Sequence, residues 1–178
     1  MSLQTAGWFD RVDAFEYRFC VKMNLACDRG VILNGFRAVS RLGDGVLWYA
    51  LMAFLAIAWG PAGRLVAAEM LLTGAAGLLL YKQLKHRLVR ERPYITHAAI
   101  RAGTRALDRY SFPSGHTLHA VAFTVVAVAH FPVLGFVLIP FTVLVAMSRV
   151  VLGLHYPTDV MAGATIGALL AVLGCMLG

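Results

Sequence analysis

Hydrophobic and polar positions are sharply segregated along this chain. Five nearly uninterrupted apolar runs, residues 46–59, 65–81, 117–131, 132–147 and 160–177, alternate with polar stretches. With its flanks, each run approaches the roughly 17–25 residues a helix needs to cross the hydrocarbon core of a bilayer. A soluble bundle of such helices would have no polar face to turn to water. The pattern therefore predicts an all-α fold: a polytopic membrane helix bundle with about five transmembrane helices. Run 46–59 is the shortest and reaches full length if Asp44 and Gly45 lie among the headgroups, with Trp48, Tyr49 and Trp59 as interfacial aromatics.

The first 44 residues read differently. Trp8, Phe9, Val12, Phe15, Phe19 and Met23 recur at helical spacing among Asp10, Arg11, Asp13, Glu16, Arg18 and Lys22. This predicts an amphipathic helix on the membrane surface, or a cap packed on loops, followed by a second helix around 31–41. Residues 40–45 supply the turn into the first span. Glu69 interrupts the second apolar run near the end opposite the basic segment 81–93, which suits a local partner or a snorkelling role better than a pathway. Residues 94–112 form the one long interspan loop, carrying Arg101, Arg105 and Arg109. Gly163 and Gly167 give the last run a small-xxx-small face for close helix contact.

Composition agrees with this picture. The 178 residues are 60% hydrophobic and 14% charged, against about 25% charged in soluble domains. Mean hydropathy is +0.73. The length suits one domain, 1–178. Cys20, Cys27 and Cys175 lack metal-ligand spacing and read as packing residues. No cleavable signal sequence is visible before residue 45. The bilayer is the expected partner; no nucleic-acid partner is expected.

Chemistry concentrates in the stretch from Ser148 to Asp159, between two apolar runs. Pro157 fits the first position of a new helix, so the preceding helix should end near Val151, break at Gly153 and restart at Pro157. Asp159 then lies in a first turn, able to reach back toward His155. His155 offers a nucleophile or base, Asp159 an orienting carboxylate, and Arg149 a planar fork of donors for an oxyanion. In isolation, this stretch is equally an interhelical loop with an acid at a helix N-terminus.

Alternation of the spans brings Lys85, Arg92, Ser114, Gly115, His116, Arg149, His155 and Asp159 to one membrane face. Three cations there can neutralise the equatorial oxygens of a phosphoryl group. Ser114 falls at an N-cap, aiming the Gly115 and His116 amides outward. His116 can protonate a leaving alkoxide while His155 attacks phosphorus, so no metal and no cofactor are required. Each feature alone has an ordinary explanation: Lys85 and Arg92 as basic flanks of a span, Ser114–Gly115 as a plain cap, His116 as interfacial like His86, His97 and His130. Their joint occurrence on one face carries the reading. His119, one turn beyond His116, is a weaker supporting candidate.

Lys85-x6-Arg92-Pro93, Pro113-Ser114-Gly115-His116 and Ser148-Arg149-x5-His155-x3-Asp159 together resemble the three-part signature of the type 2 phosphatidic acid phosphatase (PAP2) superfamily, in its bacterial membrane lipid phosphatase branch. The resemblance implies metal-independent hydrolysis of a lipid phosphomonoester or diphosphate: phosphatidate, phosphatidylglycerophosphate or an isoprenoid phosphate. It implies His155 as nucleophile, His116 as acid, Asp159 as orienter, and Lys85, Arg92, Ser114, Gly115 and Arg149 as phosphate ligands. A phosphotransferase using a lipid hydroxyl as acceptor is the alternative enzyme. A non-catalytic lipid-binding protein would be expected to lack His116, His155 or Asp159, and all are present.

One departure concerns orientation in what is expected to be a bacterial inner membrane. Family resemblance implies six spans and a periplasmic site, whereas residues 1–44 here replace the usual first span. Of the 16 Lys and Arg residues, only Arg64 falls on the face opposite the motifs. By the positive-inside bias that predicts a cytoplasmic site.

Overall fold

The computed structural model describes residues 3–106 and 108–177; the side chains of residues 3–10, including Trp8 and Phe9 of the expected amphipathic pattern, lie outside the described set. The helices are α1 (Leu3–Asn24), α2 (Gly30–Arg41), α3 (Leu47–Ala58), α4 (Gly60–Arg87), α5 (Pro93–Thr96), α6 (Gly115–His130), α7 (Gly135–Val151) and α8 (Pro157–Leu177). Among the described residues there is no strand, only an isolated bridge between Glu91 and Tyr110. The all-α membrane bundle is what the hydropathy pattern predicts.

Among the described residues, four segments are long and apolar enough to cross a membrane: Gly30–Ala58, Gly60–Arg87, Pro132–Val151 and Pro157–Leu177. The remaining apolar run forms α6, only 16 residues long, or about 24 Å at 1.5 Å per residue. It is shorter because it sits at the centre of the bundle. Leu118, Ala120, Ala122, Val126 and Ala127 are all inaccessible, and Ser114 at its N-terminus is buried.

Close packing around α6 depends on glycine. A Cβ at Gly163 of α8 would lie 2.5 Å from the Ser114 carbonyl oxygen, and one at Gly167 would overlap the Leu118 carbonyl. The predicted small-xxx-small face is therefore the α8 surface that docks on α6. Gly74 and Gly77 of α4 perform the same service against Phe123 and Leu118. With no side chain between them, backbones approach and dispersion contacts multiply in a medium where the hydrophobic effect supplies no helix–helix attraction.

The α7–α8 junction matches expectation. α7 ends at Val151, Gly153 adopts φ +72°, and α8 begins at Pro157. The Leu154 and His155 amides both donate to the Arg149 carbonyl, capping α7.

The N-terminal segment resolves the two expectations for it. α1 turns Glu16, Cys20 and Asn24 inward and leaves Phe15 and Phe19 exposed. Glu16 and Asn24 pack on the site loops and Tyr17 lies against His97, whereas Phe15 and Phe19 are free for the membrane surface. The entry to the first span corrects the sequence reading. α2 runs into α3 through a kink at Leu42–Val46, where Asp44 and Gly45 are non-helical and Gly45 has φ +108°. Asp44 interrupts the helix there instead of extending it, and its half-exposed carboxylate turns toward His116.

Candidate active site

The end of α4, the N-terminus of α6, the C-terminus of α7 and the α7–α8 junction converge at one end of the bundle. Lys85, Arg92, Gly115, His116, Arg149 and His155 line one cavity of about 440 Å³. Ser114 and Asp159 lie directly behind it, both fully buried. The motifs, separated by up to 74 positions, thus meet as alternation of the spans predicts.

His155 is buried at the centre. Arg92 Nη1 approaches its Nε2 at 3.0 Å. A guanidinium only donates, so Nε2 is the acceptor and the ring proton belongs on Nδ1. That nitrogen faces Asp159 Oδ2 at 3.7 Å, in line with the predicted pairing but beyond hydrogen-bond distance. Burial pushes the His155 imidazole well below 6.5, reinforced by the charges of Arg92, Arg149 and Lys85. The ring is held neutral, with Nε2 carrying a lone pair.

The cations are arranged around it. Lys85 Nζ meets Asp108 Oδ2 at 2.6 Å, and Arg92 Nη2 meets Asp108 Oδ1 at 2.8 Å. Arg92 also donates to the carbonyls of Asp108 and Leu154. Burial alone would raise the Asp108 carboxyl, but hydrogen bonds and charge from Lys85 and Arg92 outweigh it and hold it below the usual carboxylate range. Arg149 Nη1 donates to Ser40 Oγ at 2.6 Å. Its Nε is buried without a partner among the described residues. A planar fork with one unmatched donor, beside two further cations, is suited to an added oxyanion.

Ser114 occupies the N-cap with extended backbone, as predicted, but its hydroxyl pairs with Thr117 Oγ1 at 2.9 Å and makes no capping bond. The cavity instead meets the first turn of α6 at Gly115 and His116, where helix-terminal N–H groups and the positive dipole end favour an anion. His116 Nε2 lies 3.2 Å from Asp44 Oδ1. His119 also lines the cavity, spanning the Gly115 and Gly74 carbonyls at 2.9 and 3.1 Å.

Sequence reasoning missed four acid–base partners. Asp44 and Asp108 line the cavity. Glu16 and Arg90 stand behind Asp159: Arg90 Nη1 donates to Asp159 Oδ1 at 2.8 Å, Arg90 Nη2 to Glu16 Oε2 at 2.6 Å, and the Tyr156 amide to Asp159 Oδ2 at 2.8 Å. Arg90 also lies over the Tyr156 ring, 4.0 Å from its centroid. The available signal was single acids in unlike surroundings: Asp108 amid Arg105 and Arg109, and Glu16 between the aromatic Phe15 and Tyr17. By contrast, Arg101 and Arg109 are exposed and paired with Asp28 and Glu91, outside the cavity.

Beyond the cations the cavity becomes apolar. It continues between α3 and α4 along Tyr49, Met52, Leu71, Ala75 and Leu78, with Phe123 of α6 at its floor. Tyr49, Leu71 and Leu78 are exposed on the outer surface of the bundle. A charged pocket thus opens sideways through an apolar groove.

A model described as the PAP2 superfamily matches residues 64–176. The chain is 36% identical over 139 residues to decaprenylphosphoryl-5-phosphoribose phosphatase of Mycolicibacterium smegmatis, covering 74% of this chain and 71% of that protein. It is 30% identical over 102 residues to undecaprenyl-diphosphatase BcrC of Bacillus subtilis, covering 57% and 52% respectively. The crystal structure of the transmembrane PAP2-type phosphatidylglycerolphosphate phosphatase from Bacillus subtilis superposes with a TM-score of 0.78 at 25% identity, covering 94% of this chain and 86% of that one. The match to the family model extends over all three motifs that build the cavity, and with it this integral membrane phosphatase belongs to the PAP2 superfamily.

Proposed function

We propose that this chain, acting as one domain over 1–178, hydrolyses the terminal phosphate of a lipid phosphomonoester or diphosphate, with a polyprenyl phosphate as the first substrate to test. One observation carries the reading: a neutral, buried His155 and three cations share a cavity that continues into an apolar groove open to the bilayer side. A headgroup phosphate fits the polar end while its chain lies between α3 and α4. The similarity to a decaprenylphosphoryl-5-phosphoribose phosphatase and an undecaprenyl-diphosphatase supports the prenyl class.

In this mechanism Lys85, Arg92 and Arg149 take the equatorial oxygens, with the Gly115 and His116 amides completing the cradle. An incoming phosphate displaces Asp108 from Lys85 and Arg92, and frees Nε2 of His155 from Arg92. The Nε2 lone pair then attacks phosphorus, the bond to the lipid oxygen breaks, and His116, protonated beside the Asp44 carboxylate once the bound phosphate offsets the surrounding cations, delivers its proton to that oxygen. Asp159 stabilises the Nδ1–H as positive charge develops on the His155 ring. Water then attacks the phosphohistidine, giving its proton to the now neutral His116, and inorganic phosphate leaves. Ser114 acts through the N-terminal geometry of α6.

The charge distribution supports a cytoplasmic site, against the periplasmic one that family resemblance implies. Labelling of Arg101→Cys in intact cells by a membrane-impermeant reagent would reverse that assignment. The activity is tested with purified protein and a panel of polyprenyl phosphate, polyprenyl diphosphate, phosphatidate and phosphatidylglycerophosphate. Phosphate release from at least one, abolished by His155→Ala, is expected. Equal turnover by the variant would eliminate the phosphohistidine. Transfer of phosphate to an added lipid alcohol in preference to water would identify a transferase.

A further inference from the structure

At the end of the bundle remote from the cavity, Glu69 of α4, His130 at the last position of α6 and Cys175 near the end of α8 come together. One ligand atom from each, a carboxylate oxygen, an imidazole nitrogen and the thiol sulfur, all lie within 4.8 Å of one another. The sixteen residue steps along α4 from Glu69 to Lys85 place the cluster about 24 Å along the helix from the catalytic end, so the catalytic machinery does not explain it.

Three further features point inward to a ligand. His130 Nε2 is 2.7 Å from Glu69 Oε2, while Glu69 Oε1 is buried with no partner among the described residues. A buried carboxylate oxygen is costly unless a donor or a cation satisfies it, and the group that faces it here is the Cys175 thiol. Gly174 lacks a side chain where a Cβ would sit 3.6 Å from Glu69 Oε1 and 3.1 Å from Thr73 Oγ1, leaving open the space that both oxygens border. His130 also ends α6, so the unpaired carbonyls and negative dipole end of that helix favour positive charge nearby.

We propose that Glu69, His130 and Cys175 form a binding site for one zinc ion, or for a divalent transition ion of similar softness. Tetrahedral bonds of about 2.0–2.3 Å separate ligand atoms by about 3.3–3.7 Å, so the three side chains reach coordination with shifts of about 1 Å. Thiolate and imidazole select zinc over magnesium or calcium, which prefer oxygen ligands alone. Water, or Thr73 through water, fills the fourth position. Binding releases the thiol proton and ties the far ends of α4, α6 and α8 to one another, so its consequence is stability of the bundle rather than chemistry on phosphate.

The test uses untagged, full-length protein in detergent after treatment with a chelator. Titration with Co²⁺ should produce a thiolate-to-cobalt charge-transfer band that saturates at one equivalent and is displaced by Zn²⁺. Cys175→Ser should lose the band, and Glu69→Gln and His130→Ala should each weaken zinc binding about tenfold or more. Zinc should raise the unfolding temperature of the wild type and leave that of Cys175→Ser unchanged. Absence of the band in the wild type, or its persistence in Cys175→Ser through Cys20 or Cys27, would overturn the assignment. Phosphate release by Cys175→Ser at the wild-type rate would separate this site from the catalytic one.

Discussion

The carboxylate of Glu16 accepts both the backbone N–H and the hydroxyl of Thr158, each at 2.8 Å, across 142 positions of sequence. The same carboxylate holds Arg90, which in turn holds Asp159. A helix read from sequence as an interfacial attachment is thus wired, through two residues, to the acid behind His155. Glu16 is only 2% exposed although it belongs to a surface helix; paired this way, its charge is not stranded in an apolar setting.

Glu16→Gln is therefore expected to act at a distance. It weakens the hold on Arg90, and Asp159 loses its fixed position behind the His155 ring. A misplacement of this size should lower kcat about tenfold or more, with KM and inhibition by vanadate little changed, because Glu16 lies outside the phosphate cradle. Steady-state kinetics on a soluble short-chain substrate check this, and a parallel rise in KM and loss of kcat would point to simple unfolding.

Asp108 occupies Lys85 and Arg92 in the empty site, so substrate phosphate competes with it for the same donors. Asp108→Asn should tighten inhibition by inorganic phosphate, whereas Lys85→Ala should weaken it. Exposed pairs contribute about 0.2–1 kcal/mol; a partly buried pair with two cations exceeds that, and the shift in Ki should reach several-fold. An unchanged Ki in Asp108→Asn would mean the carboxylate does not stand in the phosphate position.

The acid limb of kcat/KM reports the nucleophile in the free enzyme. Since burial holds His155 well below 6.5, the reactive neutral form persists as pH falls through 6.5 and is lost only at the lower folded-state value. After correction for the substrate's own ionisation near pH ~6, the limb should lie below 6.5. The stability term has the same direction. Unfolded protein binds this proton more readily, so stability declines as pH drops from about 6.5 toward the folded-state pKa.

Gly163 and Gly167 tolerate no side chain without moving the α6 backbone. Gly167→Val should lower stability by about 1–3 kcal/mol through overpacking, seen as a reduced unfolding temperature in detergent. Gly163→Val presses on the Ser114 carbonyl and should also reduce activity, because that contact sets the N-terminus of α6. Equal activity with lowered stability in both variants would show that the cradle is insensitive to this packing.

The sequence alone determined the membrane bundle, because a 20-residue apolar run leaves few alternatives in water or lipid. It also determined the Gly153 break, the restart at Pro157 and the meeting of three motifs on one face, since these follow from local backbone preferences and the alternation of spans. Asp44, Asp108, Arg90 and Glu16 depended on the tertiary structure. Each is a single charge with no local periodicity, and its partner is chosen only when a kink, a loop or a surface helix docks. The same holds for the cluster of Glu69, His130 and Cys175, whose residues have no spacing rule in common and meet only because three helices end beside one another. Local rules govern how a segment folds; the pairing of buried charges depends on which segments are packed together, since only there does loss of water make an unpartnered ion costly.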